Sequence, residues 1–213
     1  MTAYVALGIA ALLTSGITMY SGFGLGTVLM PVFALFFPLE TAIAATALVH
    51  GANNLFKLSL VGAKADRGLV VRFGIPAILA AFAGAAAMGY VSHFGEIARY
   101  SVGSREAVVT PLKLALAGLM VFFAVFELVP RLRTLRFDRR YLVLGGLLSG
   151  FFGGFSGHQG ALRSAFLVKV GVSTETFVGT NAVIGFLVDA VRIAVYAWVF
   201  LAAGENSPIA SGE

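Results

Sequence analysis

Six apolar stretches, each long enough to cross a lipid bilayer, dominate the chain. They lie near residues 3–37, 41–61, 73–92, 110–129, 141–171 and 177–203. Only 12% of the 213 residues are charged, whereas a soluble domain carries about 25%. Such a chain cannot cover itself with a polar surface. We therefore predict an all-α, polytopic helical bundle of about six spans in a membrane, and exclude a soluble enzyme and a nucleic-acid binder.

Two of these stretches, 3–37 and 141–171, are too long to be single straight helices. At a rise of about 1.5 Å per residue they would measure roughly 50 Å, whereas the hydrocarbon core is about 30 Å thick. Both are rich in glycine, and Pro31 and Pro38 lie within or just after the first. We expect each stretch to break, fold back or re-enter the membrane.

The charges in the loops predict the orientation of the chain. Loops 62–72 and 131–140 hold three and five Lys or Arg residues, whereas the two arginines of loop 93–109 are balanced by two glutamates. The positive-inside rule places the two basic loops in the cytoplasm, as in a multi-pass protein of the cytoplasmic membrane. The N-terminus also lies in the cytoplasm if 3–37 crosses once.

Some classes of site are excluded by composition. The chain has no cysteine, so disulfides, Cys-ligated zinc and iron–sulfur clusters are ruled out. No cofactor or metal is expected. The first seven residues carry no positive side chain, so we expect no removable signal peptide.

The two long stretches belong to an internal repeat. A shift of 134 residues aligns Leu13, Ser15, Gly16, Gly26, Thr46, Val49 and Gly51 with Leu147, Ser149, Gly150, Gly160, Thr180, Val183 and Gly185. No gap is needed. We predict a first repeat unit at 1–130, a basic cytoplasmic loop at 131–140, a shorter second unit at 141–203 and a polar tail at 204–213.

The glycines of the repeat have two interpretations. Gly146, Gly150 and Gly154 recur every four residues, which is typical of close packing between membrane helices. Alternatively, the glycine-rich rows are unwound segments that line a substrate cavity, because irregular backbone at membrane depth must face protein or water.

The same rows resemble a known family. The stretch Gly22-Phe23-Gly24-Leu25-Gly26 leading to Pro31, the stretch Ser156 to Arg163, and Thr46 with Val178-Gly179-Thr180-Asn181 resemble the sulfite exporter TauE/SafE family over about residues 10–200. The resemblance implies a permease with two related halves that moves sulfite or organosulfonates across the cytoplasmic membrane. Because family members usually have comparable halves, the chain looks short by about two spans at its C-terminus.

Seven charged residues lie inside the apolar stretches, where a charge is costly. They are Lys57, Lys113, Glu127, Arg163, Lys169, Asp189 and Arg192. Lys113, Glu127 and Lys169 lie near the ends of their stretches, where long side chains can reach the interface. The other four are candidates for function.

Arg163 is the strongest candidate for an anion contact. It follows His158 and Gln159 in the second glycine-rich stretch, and a guanidinium offers a planar fork of donors to an oxyanion. A broken helix adds free backbone N–H groups. The alternative is an internal pair with Asp189 or with a helix C-terminus.

Two polar helix faces accompany Arg163. His50, Asn53, Asn54 and Lys57 recur at helical spacing and predict a hydrated polar path. In the second copy Asn181, Gly185, Asp189 and Arg192 cluster roughly on one face. Asp189 and Arg192 are spaced to form an ion pair, and proton coupling through Asp189 or His50 is the alternative.

The predicted substrate-binding residues are therefore Gly22, Gly24, Gly26, His50, Asn53, Asn54, Lys57, Ser156, Gly157, His158, Gln159, Gly160, Arg163, Thr180 and Asn181. Asp189 and Arg192 are assigned to coupling or to an ion pair. The expected partners are the lipid bilayer, a small anionic substrate and, as a further candidate, a second copy of the chain.

Two other functions remain open. A passive anion channel or a non-transporting membrane subunit would have the same composition. Gly154-Phe155-Ser156-Gly157 also matches the G-x-S-G form of rhomboid-type serine proteases, whose serine needs a base from another span. Because 177–203 contains no histidine, we predict that the protein is not an enzyme.

Overall fold

The computed structural model describes residues 2–21, 25–103 and 105–202, and this part of the chain is almost entirely helical. The predicted all-α class is confirmed. The helices are α1 Thr2–Ser21, α2 Leu25–Ala34, α3 Leu39–Val61, α4 Arg67–Leu69, α5 Ile75–Ser92, α6 Pro111–Leu128, α7 Pro130–Arg133, α8 Leu142–Ser156, α9 Gly160–Leu167 and α10 Thr174–Ala202. A wider π turn, Val70–Gly74, joins α4 to α5.

Three of the described helical segments are long and apolar enough to cross a membrane. They are Arg67–Ser92, Pro111–Leu128 and Thr174–Val199. Helix α3 has 23 residues, the length of a span, but carries the polar face. The loop between α5 and α6 contains an antiparallel hairpin of β1 Ala98–Val102 and β2 Arg105–Val109, an element that the sequence did not predict.

The long stretch 141–171 breaks and folds back, as expected. Helix α8 ends at Ser156, Gly157 adopts a left-handed φ of 83°, and α9 begins at Gly160. The end of α9 lies beside the start of α8: the N–H of Phe137 donates to the carbonyl of Ala165 at 3.2 Å. The NH2 group of Arg139 likewise donates to the carbonyl of Val170 at 3.0 Å. Helices α8 and α9 therefore form a helical hairpin.

The stretch 3–37 also folds back. Leu7 of α1 shares an apolar cluster with Leu29 and Phe33 of α2 and with Ala42 of α3. In one straight helix Leu7 and Leu29 would be roughly 33 Å apart. Gly22 and Gly24, where the break was predicted, lie outside the described residues. Helix α1 therefore begins at the same end of the bundle as α3, and the condition under which the N-terminus was placed in the cytoplasm, a single crossing by 3–37, does not describe this fold.

Helices α3 and α10 pack against each other in opposite directions. The amide of Asn54 bonds Asp189, and a side chain at Gly179 would overlap the carbonyl of Val61. Gly51, further back along α3, lies against Ile193, further forward along α10. The two helices that carry the matching residues of the repeat are thus antiparallel neighbours.

The two basic loops lie at one end of the bundle. Lys64, which follows α3, forms an exposed ion pair with Glu175 at the start of α10. Leu69 and Val170 belong to one buried cluster, against which Phe137 packs. This arrangement agrees with the prediction that both loops occupy the same side of the membrane.

Helices α5 and α8 run parallel with their backbones in contact. A Cβ atom at Gly146, Gly150 or Gly154 would overlap the backbone carbonyl oxygen of Phe73, Ala77 or Ala81, respectively. These glycines have the packing role expected of small residues at four-residue spacing. The contact fixes α8, and with it the break that follows, against a spanning helix.

Candidate functional site

The break between α8 and α9 faces α3 and α10, and buried polar side chains from all three converge there. Burying such groups away from water is costly unless they are hydrogen-bonded or paired. The buried set comprises His50, Asn54, Lys57, Ser149, Ser156, His158, Gln159, Arg163, Ser164, Thr180, Asn181, Asp189 and Arg192. Most of the residues predicted from the sequence therefore lie in one region of the fold.

Asp189 joins the three parts of this region. Its Oδ2 accepts a hydrogen bond from Asn54 Nδ2 at 2.7 Å, and its Oδ1 accepts one from Gln159 Nε2 at 3.1 Å. Arg192 NH2 lies 2.9 Å from the same Oδ1, and both charged side chains are fully buried. The predicted Asp189–Arg192 ion pair is confirmed, and the carboxylate is also tied to α3 and to the break.

Arg163 is held by amides and not by a carboxylate. Its Nε donates to Asn181 Oδ1 at 2.7 Å, and its NH1 donates to Gln159 Oε1 at 2.9 Å. Asn181 is oriented in turn by its own donation to the carbonyl of Phe177 at 2.9 Å. Arg163 and Asp189, the alternative pair, form no direct hydrogen bond among the described residues. In the part of the chain that the structure describes, Arg163 has no hydrogen-bonded counterion, and Asp189 lies within electrostatic range of it.

Cations outnumber carboxylates in this region. Lys57, Arg163 and Arg192 are buried there, and in the described part of the chain Asp189 is the only carboxylate among the buried side chains. Lys57 lies within electrostatic range of Arg163, and His50 within range of both arginines. The local charge therefore favours an anion.

Gly185 and Gly157 make room for these side chains. A Cβ atom at Gly185 would lie 2.8 Å from Asn54 Nδ2 and 3.1 Å from Arg163 NH1. At Gly157 a Cβ atom would overlap the guanidinium of Arg192, and the φ of 83° is already one that favours glycine. The glycine-rich break thus brings backbone close to charged groups.

Ser156 and His158 are close together, but their contacts do not resemble a hydrolase site. His158 Nδ1 lies 3.1 Å from Ser156 Oγ, and Ser156 Oγ donates to the carbonyl of Phe152 at 3.1 Å. The His158 ring stacks on Phe123 with centroids 5.3 Å apart. Among the described contacts of His158 there is no carboxylate to orient it as a base.

Other predicted residues lie elsewhere or have structural contacts. Thr180 is fully buried, and its Oγ1 accepts a hydrogen bond from the N–H of Asp66 at 2.9 Å, which ties the loop after α3 to α10. Gly160 is the first residue of α9. Gly26 lies in α2, and Asn53 is half-buried on α3.

Three participating residues were not assigned from the sequence. Ser149 Oγ donates to the carbonyl of Gln159 at 3.2 Å, Tyr196 donates its hydroxyl hydrogen to the carbonyl of Gly154, and Ser164 is buried on α9. Tyr196 follows Asp189 and Arg192 at helical spacing, so the pattern of α10 contained a signal for it.

A helical membrane protein with two folded-back hairpins and a buried polar cluster has the features of a membrane transporter. The family model described as sulfite exporter TauE/SafE matches residues 6–210, and the chain belongs to this family. It is accordingly a membrane permease by family. Neither the curated proteins nor the solved structures gave a match.

Proposed function

We propose that the protein is a permease for small sulfur-containing anions, of the sulfite or organosulfonate type, in the cytoplasmic membrane. The observation that carries this proposal is the excess of buried cations, Lys57, Arg163 and Arg192, around one carboxylate, Asp189, beside a helix break. A buried charge in a membrane protein usually pairs or marks a pathway. Here Arg163 is hydrogen-bonded to two amides and Asp189 is shared with Arg192, so that a bound anion would add compensating negative charge.

The arrangement of the hairpins supports transport rather than simple anchoring. Helices α3 and α10 carry the matching residues of the repeat and run antiparallel, as expected of inverted repeats whose substrate site lies between the two copies. We infer that the units 1–130 and 141–203 are such copies.

Within this proposal Arg163, His158 and the polar face of α3 that includes Lys57 contact the substrate. The two hydrogen bonds of Arg163 to Asn181 and Gln159 fix its guanidinium in one position. A fixed guanidinium binds an oxyanion more strongly than a mobile one, because less side-chain freedom is lost.

The test is transport of labelled sulfite and labelled 2-hydroxyethanesulfonate into vesicles that contain the purified full chain. We expect Arg163→Ala to lower the flux of the transported anion about 10- to 100-fold, the range expected for loss of charge-assisted hydrogen bonds. Arg131→Ala, in the exposed basic loop, is the control and should transport like the unaltered protein. Full flux through a normally folded Arg163→Ala variant would remove Arg163 from the site.

Counterflow separates the proposal from a channel or a non-transporting subunit. Vesicles loaded with unlabelled anion accumulate the label transiently if the protein is a carrier, whereas a channel gives equilibration and a subunit gives no flux. Labelling of Ser156 by a serine-hydrolase probe would instead support the protease alternative.

A further inference from the structure

Four buried side chains in the described part of the chain have polar atoms without a hydrogen bond that meets the geometric criteria. One is Ser164 Oγ on α9; the others are Nε2 of His50, Nε2 of His158, and the guanidinium nitrogens of Arg192. Arg192 is not isolated, since its NH2 lies 2.9 Å from Asp189 Oδ1 in an ion pair and Tyr196 is a further partner. These two groups cannot use all five N–H donors of a guanidinium. Unsatisfied buried polar groups are rare in proteins and call for an explanation.

The side chains of His50, His158 and Arg192 come from three elements and lie within electrostatic range of one another. His50 is on α3, His158 is in the break, and Arg192 is on α10. His50 is within electrostatic range of both Arg192 and His158, and His158 is within range of Arg192. All three are more than nine-tenths buried, with exposed fractions of 9%, 4% and 0%. A ligand among them would therefore be enclosed by protein.

Their environment fixes the chemistry of that ligand. Stacking on Phe123 and the contact of Nδ1 with Ser156 hold the His158 ring, so that Nε2 is the nitrogen left over. The guanidinium of Arg192 has donors in a fork suited to two oxygens of one group. Because the Ser156 hydroxyl donates to Phe152, His158 Nδ1 donates to Ser156, and Nε2 of the neutral ring accepts. A guanidinium beside an accepting imidazole nitrogen suits a compact oxyanion that carries a hydroxyl group, because such an anion accepts from the arginine and donates its own hydrogen to the histidine.

The position of Gly157 gives a geometrical reason to place Arg192 at the break. Its missing side chain leaves the space that the Arg192 guanidinium occupies, and its left-handed backbone turns the chain away at that point. Gly171 has a similar φ of 78°, but nothing lies within 4 Å of the position that its Cβ would take. The backbone therefore approaches a charged side chain closely at Gly157 but not at Gly171, although both glycines have a left-handed φ.

We propose that Arg192, His158 and His50 form an anion subsite in which Arg192 contacts the oxyanion directly, so that its role extends beyond the ion pair with Asp189. The proposal rests on the proposed function only for the choice of a sulfur oxyanion as ligand. Arg163, whose Nε and NH1 already bond amides, contributes a second charge next to this subsite.

The experiment measures anion-dependent thermal stabilisation of the purified full chain in detergent. The anions are sulfite, 2-hydroxyethanesulfonate and phosphate, and chloride at equal ionic strength is the reference. The first variant is Asp189→Asn combined with Arg192→Gln, which removes the guanidinium without leaving a buried carboxylate unpaired. We expect its half-saturating anion concentration to rise about 10- to 100-fold.

Two further variants keep the test decisive if the double variant does not fold. His158→Gln removes the ring nitrogen without changing a formal charge at neutral histidine, and it should weaken anion stabilisation by about tenfold. Gly157→Ala should do the same by displacing Arg192. Gly171→Ala, with equal backbone strain and open space, should bind like the unaltered protein.

The outcomes separate the subsite from the proposed function. Stabilisation by an anion that depends on Arg192 or His158 supports the subsite. If phosphate alone stabilises and vesicles transport no sulfur anion, the subsite stands and the proposed function fails. The subsite is overturned if no anion stabilises the unaltered protein, or if the variants that fold retain its anion affinity.

Discussion

The contacts of Asp189 show how a buried charge in a membrane protein depends on its partners. Asp189 is fully buried and has contacts from Asn54, Gln159 and Arg192. Each of these contacts compensates a carboxylate that would otherwise be expelled from an apolar environment. Removing one partner of such a pair leaves the other charge buried, and this costs more than the intact pair contributes.

Replacing Asp189 by Asn should therefore destabilise the protein strongly. Arg192 would keep a buried positive charge without its counterion, and we expect a loss of about 3–5 kcal/mol in the free energy of unfolding. Adding Arg192→Gln should restore much of this loss. Thermal unfolding in detergent measures both effects.

Glu96 and Arg99 provide the matched control for this pair. They have the same three-residue spacing and a distance of 2.7 Å, but both side chains are about half exposed. Glu96→Gln should leave the unfolding temperature unchanged, because solvent screens an exposed pair. Equal effects of Asp189→Asn and Glu96→Gln would contradict the role given to burial.

The contact between α5 and α8 shows how glycine spacing positions a whole helix. Gly146, Gly150 and Gly154 place the backbone of α8 against backbone carbonyls of the neighbouring helical segment. Such close approach gains dispersion contacts and weak Cα–H···O bonds along the interface. Helix α8 is thereby held along most of its length, up to the residues just before the break.

A methyl group at Gly150 should separate these two helices. Its Cβ would overlap the carbonyl oxygen of Ala77, and backbone cannot move aside as a flexible side chain can. We expect Gly150→Ala to lower the free energy of unfolding by about 1–3 kcal/mol or more. Gly118→Ala on α6, where nothing lies within 4 Å, is the control.

Thermal unfolding in detergent separates the two glycine variants. Gly118→Ala should be neutral or slightly stabilising, because alanine is the better helix former. Similar unfolding temperatures for Gly150→Ala and Gly118→Ala would show that the α5–α8 contact does not determine stability.

The whole bundle places the beginning of α1 and the β hairpin at the end opposite the basic loops. Helix α1 begins beside the start of α3, and α3 runs from there to Lys64. Helix α5 then returns the chain from the basic end to the hairpin that contains Ser101. If the basic loops lie in the cytoplasm, as the positive-inside rule predicts, the start of α1 and the hairpin both face the outside.

Single cysteines test this topology, because the natural chain has none. A membrane-impermeant maleimide added to intact cells should label Thr2→Cys and Ser101→Cys, but should label Thr134→Cys only after the membrane is permeabilised. Ser101 and Thr134 are both exposed, so accessibility to solvent does not bias the comparison. Labelling of Thr2→Cys only after permeabilisation would contradict the fold-back of α1 and α2.

Sequence patterns predicted the class of protein, the position of the break in the second half and most members of the buried cluster. They could do so because these features depend on composition, on helix length relative to bilayer thickness and on residues spaced along one helix. The pairing of Asp189 with Arg192 belongs here too, since the two lie three residues apart.

Only the tertiary structure decided which way the hairpins fold and which groups the buried charges contact. Asn54 and Asp189 are separated by 135 residues, and Arg163 bonds Asn181 although Asp189 carries the opposite charge. Thr180, predicted to bind substrate, also anchors the loop after α3 by accepting from the N–H of Asp66. Many different pairings would satisfy these charges. Which side chains meet is determined by how α3, α8, α9 and α10 pack, because the close backbone contacts allow only one arrangement.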